Sequence, residues 1–223
     1  MKYWFYAVVK GVLWVVFRLG FSLQVRGQSH VPRAGPCVVA CNHVSLLDPP
    51  VLGVACPRRL SFLAREDLFR SWSLGAFLRG IHAIPIHRGV SDVGAIRAAL
   101  AILRAGGAVA IFPEGTRQRS GVLAMPRRGV VLLAAVARVP IIPVLVKGTY
   151  QAMPAGVEGV RLAKIRVAFG PPISYTASPV SSGLRPGGGA SSARVPQRAG
   201  RGRHQQLTEA LYRQWRLLEA HLS

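Results

Sequence analysis

Apolar and polar positions alternate along this chain in blocks that separate strands from helices. Residues 3–21 are almost wholly apolar and aromatic. Short apolar runs of strand length follow at 23–27, 37–41, 60–64, 81–86, 108–112, 140–146 and 165–169, most of them ended by Gly, Pro or a polar turn. Between them lie stretches with helical spacing of apolar residues. In residues 67–78, Leu68, Phe69, Trp72, Leu74, Phe77 and Leu78 recur at three and four. Residues 92–104 give the clearest helix, with Ser91 or Asp92 as its cap and Gly106-Gly107 as its stop. Residues 130–137 give another. Strands alternating with helices predict an α/β fold: a mixed, mostly parallel sheet flanked by helices.

The pattern fails in two places. Residues 176–204 are Ser, Gly, Pro, Ala and Arg with almost no large apolar side chain, so they cannot bury enough surface to offset ordering entropy and read as a disordered linker. Residues 205–223 resume as a terminal helix, with Leu207, Leu211, Trp215, Leu218 and Leu222 on one stripe that packs back on the domain. At the other end, residues 1–22 form a membrane-associating helical segment ahead of a domain over 23–175. Lys10 and Arg18 interrupt its apolar residues, so no charge-free run reaches the ~18 residues of a spanning helix. Lys2, Lys10, Arg18 and Arg26 do not line up on one helical face. The segment is expected to dip into one leaflet as a bent or two-part helix, with Gly11 and Gly20 as candidate bends. A single span and a helix packed into the core are the alternatives. No small-residue cleavage site follows, against a signal peptide.

Charge then narrows the partners. The chain has 223 residues, enough for one domain, with 29 Lys and Arg against 8 Asp and Glu, a net charge of +21. Such a surface attracts anionic lipid, nucleic acid or phosphorylated substrates. The half of the residues that are hydrophobic favours lipid, and no nucleic acid is expected as partner. Cys37, Cys41 and Cys56 are odd in number and lack zinc-ligand spacing. They read as small core residues in a reducing compartment.

Four polar turns follow apolar strands. The first, Asn42-His43-Val44-Ser45-Leu46-Leu47-Asp48, places a histidine five residues before an aspartate. Residues five apart on one helix diverge by about 140°, so a turn is needed to bring imidazole and carboxylate together. Pro49-Pro50 are expected to stop a helix from starting there. If the pair meets, the carboxylate fixes the ring tautomer and leaves the other nitrogen free to take a proton. The second is Phe112-Pro113-Glu114-Gly115-Thr116-Arg117: Gly115 permits a tight turn, Thr116 supplies a hydroxyl, and Arg117 a fork matched to phosphate or carboxylate. The turns containing His87-Arg88-Gly89 and Lys147-Gly148 complete the set. In open α/β sheets active groups gather at one end of the strands, so the four turns suggest one shared site.

Together, Asn42 to Asp48 and Phe112 to Arg117 resemble the signature pair, HxxxxD and FPEGTR, of the glycerolipid acyltransferases, and most resemble the members that acylate lysophosphatidic acid. Residues 84–89 and 139–144 are similar to two further blocks of that family, in order, and the resemblance covers residues 23–173. It implies that His43 is the general base and Asp48 its orienting partner. It also implies that Glu114, Gly115, Thr116 and Arg117 bind the acceptor, and that Arg88 and Arg128 bind its phosphate. The implied reaction moves an acyl group from a thioester to the sn-2 hydroxyl of lysophosphatidic acid, giving phosphatidic acid. It needs no cofactor or metal and no covalent Ser45 or Cys41; acyl-CoA or acyl-carrier protein serves as donor substrate. The implied location is an anionic membrane surface, the cytoplasmic face of a bacterial inner membrane. The sequence departs from the family at Arg127-Arg128, where many members have a lysine pair, at His87, and in the Gly/Arg-rich segment. Another lysolipid acceptor is the enzymatic alternative. A basic membrane- or nucleic-acid-binding protein without catalysis is the non-enzymatic one.

Overall fold

The computed structural model describes residues 2–72, 75, 78, 83–86, 93–154, 156, 159–174 and 197–222. Among the described residues seven strands form one sheet: β1 (Gln24–Arg26), β2 (Cys37–Cys41), β3 (Ser61–Arg65), β4 (Ile84–Ile86), β5 (Ala108–Ile111), β6 (Ile141–Lys147) and β7 (Arg166–Phe169). Their order across the sheet is β1-β7-β6-β2-β5-β3-β4. Neighbours run parallel except β6 and β7, so the sheet is mixed and mostly parallel, as the alternation of patterns predicts. Strand β2 sits between β6 and β5, with Ala40 level with Pro143 on one side and Ile111 on the other. The ends of β2, β5 and β6 therefore open on the same edge.

Helices cover both faces. Those with described bounds are α1 (Lys2–Gly20), α2 (Asp48–Ala55), α3 (Val93–Arg104), α4 (Gly129–Ala137), the single turn α5 (Thr149–Ala152) and α6 (Gln197–His221). Side chains of β2 alternate between two cores. Cys37, Val39 and Cys41 pack with Phe17 of α1 and Val51, Leu52 and Ala55 of α2. Val38 and Ala40 pack with Ala99 and Leu103 of α3, Val131 and Ala134 of α4, and Leu211 and Trp215 of α6. A continuous apolar strand is what a sheet buried on both faces requires. All three cysteines are buried free thiols, two of them in β2. Trp215, fully buried, donates its indole N–H to the carbonyl of Ala40 at 3.2 Å and ties α6 to β2.

Several boundaries differ from the sequence reading. Pro49-Pro50 do not block a helix; they open α2. The first turn of a helix has no internal partner for its N–H groups, so proline costs nothing there and its fixed φ helps. The apolar N-terminus is one helix running through Gly11 to Gly20 rather than two pieces. Alanine at Gly11 would meet no neighbour, so no packing demand bends the chain there. Residues 66–69 form a short 3-10 turn where the helix expected over 67–78 would begin, and Trp72, Gly75 and Leu78 are helical; residues 73, 74, 76 and 77, like the cap at Ser91 or Asp92, lie outside the described residues. Most of the linker expected over 176–204 is outside them too, but α6 begins at Gln197, ahead of the apolar stripe. Its first turns carry Arg198, Arg201 and Arg203, good helix formers that apolar periodicity does not detect.

Along α1, Trp4, Val8, Val12, Val15 and Leu19 recur at spacings of four and three and remain exposed, Trp4 at 73% and Leu19 at 79%. That is an apolar stripe on one helical face. Tyr6 and Phe17 are buried instead. Lys10 donates through Nζ to the carbonyl of Cys56 at 2.5 Å, joining α1 to the end of α2. No described helix is long and apolar enough to cross a membrane.

Candidate active site

The site is built at the ends of β2 and β5. Asn42, the first residue beyond β2, is buried, and its amide imitates a strand backbone. Nδ2 donates to the carbonyl of Val146 at 3.0 Å and Oδ1 accepts from the N–H of Val146 at 2.8 Å. The β2–β6 pairing is thus prolonged by one side chain, and the chain leaves the sheet at a fixed point.

From there residues 42–47 turn back so that Asp48, the first residue of α2, lies beneath His43. Oδ2 of Asp48 accepts the N–H of Val44 at 2.7 Å and of Ser45 at 2.7 Å, and lies 3.0 Å from Nδ1 of His43. Asp48 is fully buried, whereas the His43 side chain retains 18% exposure. Three groups converge on one carboxylate oxygen, which fixes both the loop and the ring. With the Nδ1 proton on the Asp48 side, Nε2 is the unprotonated nitrogen. Ser45 is fully buried; its hydroxyl donates to the carbonyl of Met153 at 2.7 Å and accepts from the N–H of Leu47 at 3.1 Å. It is a turn-former, not an exposed nucleophile.

The second motif locks onto the first. Phe112 stacks on the His43 ring with centroids 4.3 Å apart and planes 27° apart. Oε1 of Glu114 accepts the N–H of His43 at 3.1 Å, and the carbonyl of His43 accepts the N–H of Gln118 at 2.8 Å. Glu114 and Gln118, within and directly after the Phe112–Arg117 turn, therefore grip the backbone of the histidine from both sides. Glu114 is buried with Oε2 unpartnered. Burial pushes its carboxyl up to about 7, against the pull of the His43 N–H, which favours the charged form.

Gly115 lies in the left-handed region at φ 78°. A Cβ there would stand 2.8 Å from Cζ of Arg127, so glycine is needed both for the turn and for the guanidinium laid across it. The N–H of Arg127 donates to the carbonyl of Pro113 at 2.8 Å, holding this segment against the turn. Arg117 is half-buried and Thr116 exposed. Of the remaining sequence candidates, Arg128 occupies the N-cap position of α4, exposed, and Arg88 lies outside the described residues. Among the described residues no cluster of three His, Cys, Asp or Glu suits a metal.

Sequence reasoning missed the work of Asn42, Phe112 and Arg127. Asn42 and Phe112 were visible only as members of their motifs; a buried amide directly after an apolar strand was the available signal. Nothing in the sequence separates Arg127 from Arg128, because only the path of residues 118–127 decides which of them reaches Gly115.

A buried carboxylate under a histidine, clasped by a Phe-Pro-Glu-Gly-Thr-Arg turn at the mouth of a mostly parallel sheet, defines a class rather than a single reaction. Residues 22–147 match the family model described as acyltransferase, and the chain belongs to that family. Among named relatives, the 1-acyl-sn-glycerol-3-phosphate acyltransferase of Bacillus subtilis (strain 168) is 30% identical over 169 residues, covering 75% of this chain and 82% of that protein. The human 1-acyl-sn-glycerol-3-phosphate acyltransferase alpha is 33% identical over 143 residues, covering 63% of this chain and 50% of that protein. In fold, the chain is similar to the crystal structure of the 1-acyl-sn-glycerophosphate (LPA) acyltransferase PlsC from Thermotoga maritima. The TM-score is 0.78 at 21% identity, over 100% of this chain and 81% of that one.

Proposed function

We propose that this chain is a 1-acylglycerol-3-phosphate O-acyltransferase, transferring a fatty acyl group from a thioester to the sn-2 hydroxyl of lysophosphatidic acid to give phosphatidic acid. The observation that carries the chemistry is the His43–Asp48 pair: 3.0 Å apart, with the carboxylate fully buried and the imidazole partly open. Nε2 of His43 takes the proton from the acceptor hydroxyl as its oxygen attacks the thioester carbonyl. The C–S bond then breaks, and the imidazolium returns the proton to the departing sulfur. Asp48 holds the ring and stabilises the cation formed midway. General base catalysis of this kind contributes roughly 10²–10⁴-fold. Neither a covalent intermediate nor a cofactor is needed; acyl-CoA or acyl-carrier protein is consumed as donor.

Arg117 and Arg127 flank the turn that carries Glu114 and are the cations for the acceptor phosphate. A dianion needs more than one cation, and guanidinium forks match phosphate oxygens. Glu114 acts as a latch, since Oε1 holds the N–H of His43. Substrates of this kind reside in a bilayer. The exposed stripe of Trp4, Val8, Val12, Val15 and Leu19, on a chain of net charge +21, suits docking on an anionic membrane surface at its cytoplasmic face. The test is an assay of purified protein with labelled acyl-CoA and a panel of acceptors with and without phosphate. Labelled phosphatidic acid from lysophosphatidic acid, with little product from phosphate-free acceptors, is expected. Transfer indifferent to the phosphate overturns the acceptor assignment.

A further inference from the structure

A second basic cleft lies away from the catalytic pair, where α1, β1 and the end of α2 meet. It encloses about 450 Å³, and among its lining residues are Trp14 and Arg18 of α1, Gln24 and Arg26 of β1, and Val54 of α2. Asp48 begins α2, and the cleft touches its last residues, so α2 sets the two about 10 Å apart at 1.5 Å rise per residue.

The chemistry of this cleft is one-sided. Arg18 and Arg26 are among its lining residues, and no Asp or Glu is. Among the described residues the guanidinium groups of Arg18 and Arg26 have no hydrogen-bond or ion-pair partner, whereas Arg58 spends its guanidinium on three backbone carbonyls. β1 is an edge strand, paired only with β7, so alternate backbone groups on its outer side have no strand partner. Arginine forks, edge amide groups and the Gln24 side chain together suit an oxyanion with neighbouring hydroxyls. Trp14, 50% exposed, lines the cleft, and Leu19, at the end of the apolar stripe of α1 and 79% exposed, directly follows Arg18.

We infer that this cleft binds the phosphate headgroup of an anionic phospholipid, with the acyl chains lying along the exposed stripe of α1. Such a site is separate from acceptor binding and sets which membranes the protein prefers. A phosphodiester held by Arg18 and Arg26 also fixes how α1 lies on the bilayer, because headgroup and chains are gripped at one place.

The test is vesicle flotation of the full chain on phosphatidylcholine vesicles with and without phosphatidylglycerol, comparing wild type with Arg18→Lys/Arg26→Lys. Lysine keeps both charges and loses both forks. A headgroup site predicts about tenfold weaker binding to phosphatidylglycerol vesicles for the double variant, the value of one charge-assisted hydrogen bond. Binding to pure phosphatidylcholine stays the same. Unchanged affinity for phosphatidylglycerol vesicles overturns the site in favour of diffuse charge attraction. In parallel, hydrogen exchange over residues 18–28 is followed with the vesicles and with inorganic phosphate alone. Slowing by phosphatidylglycerol beyond that by phosphatidylcholine, absent with inorganic phosphate, is expected. Equal slowing by inorganic phosphate overturns the lipid assignment. Detergent-solubilised acyl transfer at the wild-type rate shows the double variant folded, and none of the binding readouts requires the protein to be an acyltransferase.

Discussion

Replacing Asp48 by asparagine separates what the carboxylate does for the loop from what it does for the histidine. One oxygen, Oδ2, accepts two backbone N–H groups at 2.7 Å and faces Nδ1 of His43 at 3.0 Å, while Oδ1 is buried without a partner. Asparagine keeps an oxygen in the Oδ2 position, so the Val44 and Ser45 N–H groups remain satisfied and the turn survives. The charge is lost, and with it the stabilisation of the imidazolium formed during transfer. The acyl-transfer rate is therefore expected to fall by about 10²–10⁴-fold with acceptor KM little changed, since the loss falls on a charge that develops in the transition state. Alanine removes the acceptor altogether. It strands two buried N–H groups at about 1–3 kcal/mol each, a loss of about 2–6 kcal/mol overall that urea unfolding would register. Steady-state kinetics on Asp48→Asn, beside unfolding of both variants, provides the assay. An Asp48→Asn enzyme within a few-fold of wild type would refute the assignment of Asp48 as partner of the base.

Three further outcomes follow from the same geometry. Arg127→Ala is expected to raise the KM for lysophosphatidic acid by about tenfold with little change in kcat, as removal of one charge-assisted contact to phosphate should. Arg128→Ala, at the exposed N-cap of α4, should leave both parameters near wild type; equal effects from the two would contradict the placement of Arg127 across Gly115. Burial raises the Glu114 carboxyl from 4.5 to about 7 in the folded chain, so the unfolded state gives up its proton first as pH rises. The native protein is therefore favoured by this group below about 4.5, and that advantage, about 3 kcal/mol at most, disappears as pH rises through about 7. Glu114→Gln should flatten the pH dependence of urea stability across that window, and an unchanged slope would show that Glu114 does not titrate there.

Strand and helix order was legible because each interior strand is a short apolar run ended by a turn. β2 and β6, buried on both faces, could only be strands in the middle of a sheet. Less legible was where helices start. Pro49-Pro50 look like a stop when read as proline in a helix, and become a start once Asp48 is seen to open α2. The arginine-rich first turns of α6 carry no apolar period. The His43–Asp48 spacing announced a turn, but the closeness of the pair depends on Val44 and Ser45 N–H groups folding over the same oxygen. Arg127 was hidden for another reason. Its position depends on a Gly115 left open by the lack of a side chain, a complementarity between residues that share no sequence pattern.

The proposed reaction depends on His43 as the base that activates a lipid hydroxyl. It is tested most directly by purifying His43→Ala and measuring transfer from labelled acyl-CoA to lysophosphatidic acid, with unfolding followed on the same sample. The His43 ring stacks on Phe112 but its backbone N–H, not its side chain, holds Glu114, so the variant should fold and keep the clasp between the two motifs. A folded variant with transfer reduced by at least about 10²-fold is the predicted result. A folded variant that makes phosphatidic acid at nearly the wild-type rate would contradict the account.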